Sequence, residues 1–114
     1  MWNIGDRVLA WWPAEMLWWY AGTIISIESN GLFLVSYDDG DRAFVYPEAI
    51  SPLNLRQGTS VFGRFQGGDR YYPGVLTQIK GSAIFIEYVD GDVEWTTAAV
   101  IRIALPPPVK SGVQ

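Results

Sequence analysis

The feature that most constrains this chain is that it carries one pattern twice. Gly5-Asp6-Arg7-Val8 returns as Gly58-Thr59-Ser60-Val61, Tyr20-Ala21-Gly22 as Tyr72-Pro73-Gly74, and Tyr37-Asp38-Asp39-Gly40-Asp41 as Tyr88-Val89-Asp90-Gly91-Asp92, with Ile50 returning as Ile101. The spacing between matched residues falls from 53 (Val8 to Val61) to 52 (Tyr20 to Tyr72) and 51 (Tyr37 to Tyr88). Only two single-residue length differences are needed, of the kind that loops absorb. A chain of 114 residues with this period is expected to be two very small domains, each near the roughly 50–60-residue lower range of independent folding. The boundaries expected are 1–54 for the first, 55–105 for the second and 106–114 for a Pro-rich tail.

Each copy carries strand signals and no helix signal. Thr23-Ile24-Ile25-Ser26-Ile27 and Leu32-Phe33-Leu34-Val35-Ser36-Tyr37 are β-branched and aromatic runs separated by Ser29-Asn30-Gly31, which reads as a hairpin. Asp39-Gly40 and Asp90-Gly91 sit between apolar runs and are expected to make type I′ turns, adding a second hairpin per copy. Four strands per copy follow: 7–11, 20–28, 32–38 and 41–46, then 60–65, 71–79, 83–89 and 92–97. Residues 47–50 and 98–101 would close each copy with a short turn or a fifth strand. Strands this short cannot bury two faces as an open sheet, so closure into a small barrel is expected. The link Pro52-Leu53-Asn54-Leu55 is short and holds two Leu, which favours barrels packed against each other.

The residue inventory narrows the chemistry. The chain has no Cys and no His, which removes thiolate and imidazole metal sites and the commonest general base and nucleophiles. We therefore expect a non-enzymatic protein without cofactor or metal. Asp38, Asp39 and Asp41 around Gly40 lack the later acidic ligands of a calcium loop and read as a turn. With 8 basic and 12 acidic residues the net charge is −4, which disfavours nucleic acid and suits a basic peptide or protein tail. Arg64, Arg70 and Lys80 are the residues a nucleic-acid contact on the second copy would use. No apolar run reaches the roughly 20 residues of a membrane span and the start lacks a signal-peptide pattern. An intracellular location is expected, nuclear in a eukaryote and cytoplasmic in a bacterium.

The repeated order of Gly, two residues and Val, an aromatic stretch, Tyr-x-Gly, and an aromatic followed by an Asp-Gly turn resembles the Tudor fold. Two in succession resemble the tandem Tudor readers of methylated histone tails, within the wider Tudor and Agenet group of SH3-like barrels. The resemblance covers about residues 5–103 and its motifs are short. It implies an all-β fold of two tandem SH3-like barrels and an aromatic cage for a methylated Lys or Arg. The cage walls would fall on Trp11, Tyr20 and Tyr37, with Asp39 as the acidic partner and Asp41 where a further aromatic is sometimes found. In the second copy Arg64 stands at the first-wall position, and a second cage would use Phe65, Tyr72, Tyr88 and Asp90. The second copy would then buttress the first or contact residues flanking the ligand.

One stretch falls outside this pattern. Trp11-Trp12-Pro13-Ala14-Glu15-Met16-Leu17-Trp18-Trp19 places four Trp in a connection between strands, where polar residues are expected. Trp12, Trp18 and Trp19 are therefore assigned to burial in an interface, against the second barrel or in a homodimer, with a ligand surface that extends the cage as the other reading. An assembly module and an Agenet-like nucleic-acid contact are the alternatives to a methyl-reading module.

Overall fold

The computed structural model describes residues 2–12 and 18–105. The expected tail over 106–114 and the middle of the Trp-rich stretch, 13–17, lie outside the described residues. The described chain is all-β, with three single-turn 3-10 segments and no α-helix. Its contacts divide it into two compact units, Met1–Leu53 joined by Ala104, and Asn54–Ile103.

In the first unit, β1 (Arg7–Trp11), β2 (Trp18–Ile27), β3 (Phe33–Tyr37) and β4 (Arg42–Val45) follow one another as antiparallel neighbours. A 3-10 turn at Pro47–Ala49 then leads into β5 (Ile50–Pro52), which returns to pair with β1. The second unit repeats this. β6 (Ser60–Gly63), β7 (Tyr72–Lys80), β8 (Ala83–Tyr88) and β9 (Val93–Thr97) pair in sequence. A 3-10 turn at Ala98–Val100 leads into β10 (Ile101–Ala104), which pairs with β6. Each closing segment is thus both a turn and a fifth strand. Even the irregularities recur: the long second strand carries a register shift between Ile24 and Ser26 in one unit and between Leu76 and Gln78 in the other. Such bulges bend and twist a strand.

The first core is built from Val8, Ala10, Ile24, Phe33, Val35, Tyr37, Val45, Ala49 and Ile50. The second unit buries Val61, Leu76, Ile84, Ile86, Tyr88, Ile101 and Ile103. Six of these positions match copy for copy, Val8, Ile24, Phe33, Val35, Tyr37 and Ile50 with Val61, Leu76, Ile84, Ile86, Tyr88 and Ile101, because side chains that alternate along a strand send every second residue inward. The Gly of Tyr-x-Gly is required by a close strand crossing. A Cβ on Gly22 would lie 2.7 Å from Val35 Cγ1 and 2.9 Å from Ser36 O, and one on Gly74 would lie 2.8 Å from Ile86 Cγ2 and 3.0 Å from Glu87 O.

The Asp-Gly turns differ from expectation. A type I′ turn needs positive φ at both central residues, yet among the described residues Gln66 is the only non-Gly residue with positive φ, while Gly40 and Gly91 have φ of 103° and 99°. Gly40 N donates to Tyr37 O and Tyr37 N to Asp41 O, and Gly91, Tyr88 and Asp92 repeat both bonds. These are type I turns followed by a glycine bulge, which leaves Asp39 and Asp90 in ordinary backbone conformations. Their carboxylates then close the turn, since Asp39 Oδ1 accepts from Asp41 N and Asp90 Oδ1 from Asp92 N, both at 3.1 Å.

Candidate functional site

In the first unit the aromatic residues gather at the end of β1, the start of β2 and the end of β3. Tyr37, the last residue of β3, is 3% exposed and forms part of the core. Its ring meets Trp12 edge to face at 5.2 Å and 86°, and Tyr20 at 6.4 Å and 88°. Trp12 and Tyr20, both half-buried, therefore stand perpendicular to a buried Tyr37. Trp11 and Tyr46 are also partly buried against the same core. Tyr37 Oη donates to the Trp11 carbonyl at 3.1 Å, so the main chain of Trp11 holds the phenol in place. Burial, together with the negative charges of Asp39 and Asp41 and with Tyr20, pushes the Tyr37 phenol well above its ordinary range, so it is a neutral donor.

Of the expected cage residues, Tyr20 and Tyr37 are brought into ring contact, Trp11 packs alongside, and Asp39 sits exposed in the adjoining turn. Trp12, assigned from sequence to an interface, is the ring that lies on Tyr37. The signal for this was present: at the spacing of 53 that aligns Val8 with Val61, Trp12 aligns with Phe65. Trp19 is 5% exposed, so its ring is buried within this chain and not offered to an outside partner. Its indole N–H has no hydrogen-bond partner among the described residues. Trp18 is half-buried.

The neighbouring Asp38 is engaged in an ion pair. Arg7 Nη1 and Nη2 donate to its two carboxylate oxygens, each at 2.6 Å, and Nη1 also donates to Thr23 Oγ1. The hydrogen bond to Asp38 raises the Arg7 pKa further.

The second unit reproduces the frame with different contents. Phe65 meets Tyr88 edge to face at 5.6 Å and 83°, as Trp12 meets Tyr37. Tyr88 Oη, however, donates to Glu94 Oε2 at 2.6 Å, and Glu94 Oε1 accepts from Gln66 N at 3.0 Å. Burial and this hydrogen bond push the Tyr88 phenol up. Gln66 holds a left-handed φ of 54° in the Phe65–Gly67 turn, a conformation that costs a non-Gly residue about 1–2 kcal/mol and that the bond to Glu94 offsets. Two substitutions make the difference. Glu94 stands where the first unit has Ala43, and Gly63 where it has Ala10. A Cβ on Gly63 would lie 2.5 Å from Tyr88 Oη, so the Tyr88 ring uses space that the Ala10 methyl fills in the first unit.

Glu94 was missed from sequence because it belongs to no motif; only the register, which pairs it with the buried Ile86, turns it inward. Tyr72 and Asp90 lie together with Pro73 and Val89 around a shallow notch of about 190 Å3. Arg64 and Arg102 both lie over the Tyr71 ring, at 5.8 Å and 3.8 Å from its centroid, so Arg64 is held at Tyr71. Among the described residues no group of three or more Asp or Glu is placed to hold a metal ion, and no helix is long and apolar enough to cross a membrane.

No protein-family model matches the chain, and no curated protein matches it in sequence. Among solved structures it is similar to the crystal structure of Arabidopsis thaliana AGDP1 AGD34, at 15% identity and a TM-score of 0.43, covering 89% of this chain and 81% of that one. It is also similar to the crystal structure of ADCP1 tandem Agenet domain 3-4, at 15% identity and a TM-score of 0.40, covering 89% and 79%.

Proposed function

We propose that the chain is a non-enzymatic binding module of two tandem SH3-like barrels, whose first unit takes a methylated Lys or Arg side chain from a basic peptide or protein tail. The observation that carries this reading is the pair of half-buried rings, Trp12 and Tyr20, standing perpendicular to Tyr37 beside the Asp39 turn. An alkylated ammonium set against Trp and Tyr faces gains roughly 0.5–2 kcal/mol per favourable ring. Asp39 and Asp41 add a negative field, and Asp39 keeps one carboxylate oxygen beyond the one used in its turn. Trp11 completes the wall through its ring or, by its carbonyl, fixes the Tyr37 floor.

The second unit is a poorer cage. Phe65 and Tyr88 are tied to Glu94 and Gln66, and only Tyr72 and Asp90 remain at a surface notch. Its contribution is support, or a weaker contact of its own at Tyr72. The partner would be met inside the cell, in the nucleus of a eukaryote or the cytoplasm of a bacterium.

Titrating an unmodified and a trimethylated basic peptide while following Trp fluorescence tests the reading. The trimethylated peptide should bind at least about tenfold more tightly, equivalent to about 1.4 kcal/mol, and Trp12→Ala should abolish that difference. An equal response to both peptides overturns the cage.

A further inference from the structure

The strand β9 has its amphipathic pattern inside out. Along Val93-Glu94-Trp95-Thr96-Thr97, the polar Glu94 and Thr96 pair with the buried Ile86 and Ile84 and face the core side. Val93 and Trp95 face outward, at 50% and 44% exposed. Beside them on the same face lie half-buried Phe85, whose ring is 5.1 Å from that of Trp95, and exposed Glu87, which pairs with Val93 and separates it from exposed Val75. Strand alternation normally puts the apolar set inside. Its reversal leaves a row of apolar side chains on a strand that, among the described residues, pairs on one side only, with β8.

The free side is also ready to pair. Tyr88 N donates to Asp92 O, and hydrogen-bonded rungs alternate in an antiparallel ladder, so residues 92, 94 and 96 bond to β8. Val93, Trp95 and Thr97 therefore turn their N–H and C=O groups away from β8. Proteins protect such edges with charges, Pro or bulges. The first unit does so: at the place of Val93 its edge strand β4 has exposed Arg42, followed by Pro47 just past the strand, and opposite Val75 it has Thr23. β9 carries no outward charge.

We infer that β9 is a self-pairing edge that joins two copies of this chain, antiparallel about a two-fold axis at Trp95. In that register Trp95 bonds reciprocally to Trp95 of the second copy, Val93 lies opposite Thr97, and Glu94 lies opposite Thr96, so no like charges meet. Residues directly opposite share a face, so the two Trp95 rings become neighbours and extend the Phe85–Trp95 contact across the junction. Lys80, whose Nζ is 5.6 Å from the Trp95 ring centroid, borders this row and disfavours a basic peptide there. A second copy satisfies both the outward main-chain groups and the apolar row. This inference does not rest on the methyl-reading proposal.

Sedimentation equilibrium over a range of concentrations, on the full chain, tests it. The expected result is a monomer–dimer equilibrium that Trp95→Glu weakens by more than about tenfold, that is by more than about 1.4 kcal/mol, because two carboxylates would then face each other. Val93→Lys, a second outward substitution, should act in the same direction, and Phe44→Glu on β4 should leave the equilibrium unchanged. Peptide binding by the first unit should survive Trp95→Glu, which separates the two proposals. A single monomeric mass at every concentration overturns the inference. So does a dimer that persists in both Trp95→Glu and Val93→Lys, or one that is lost in Trp18→Ser and kept in both.

Discussion

The two aromatic clusters share a frame and differ in what satisfies their central tyrosine. Tyr37 and Tyr88 both end the third strand of their unit, both are buried, and both receive an aromatic edge to face, from Trp12 and Phe65. Tyr37 donates to a main-chain carbonyl, and Ala10 and Ala43 stand at the flanking positions. Tyr88 lies over Gly63 and donates to the Glu94 carboxylate, which also ties down the Phe65–Gly67 turn. The two units thus share most of their core positions and differ around the central tyrosine at two positions. Glycine admits the displaced ring, and glutamate accepts its hydroxyl.

The most disruptive way to break this comparison is to give the second unit the first unit's methyl. Gly63→Ala should destabilise the protein by about 1–3 kcal/mol, as overpacking does, because its Cβ meets both Tyr88 Oη and Ile86 Cδ1. Urea unfolding measures it. Glu94→Ala should lower stability by about 1–2 kcal/mol, since a largely buried phenol loses its acceptor and Gln66 loses the bond that offsets its backbone conformation. Combined with Gly63→Ala the two effects should be less than additive, because a displaced Tyr88 has already lost Glu94. Additive values would show that the two positions act separately.

A smaller effect is expected with pH. Both phenols have folded-state values raised above the ordinary value near 10. Below that value the tyrosines are protonated in both states and the stabilisation is complete; above it the unfolded chain releases protons that the folded chain retains. Stability should therefore be flat with respect to these groups up to about pH 10 and fall beyond, by at most about 1.4 kcal/mol per pH unit for each tyrosine. Tyr37→Phe and Tyr88→Phe should each flatten that fall. The smallest change is expected for Arg7→Ala, because the Arg7–Asp38 pair is exposed and pairs of that kind contribute about 1 kcal/mol or less.

Much of the architecture was legible from spacing alone. The duplicated Tyr-x-Gly and Asp-Gly motifs placed all eight principal strands within a few residues of their observed bounds, because a glycine at a strand crossing and a glycine with positive φ are local demands that sequence states directly. The turn type was misread because Asp-Gly serves both a type I′ turn and a type I turn with a glycine bulge; only the main-chain bonds at Tyr37 and Tyr88 separate them. Trp12 was assigned to an interface because adjacent Trp residues look alike in a sequence, although the spacing of 53 that aligns it with Phe65 pointed to the ring that packing brings to Tyr37.

The sequence by itself determined the repeat, the strand content and the residue types that rule out thiol and imidazole chemistry, since these follow from local propensity, periodicity and composition. Tertiary structure decided which way β9 faces, that Glu94 reaches Tyr88, and that Tyr37 is bonded through the Trp11 carbonyl. The physical reason is that strand register and ring packing depend on residues far apart in the chain, and one step of register exchanges the inner face of a strand for the outer.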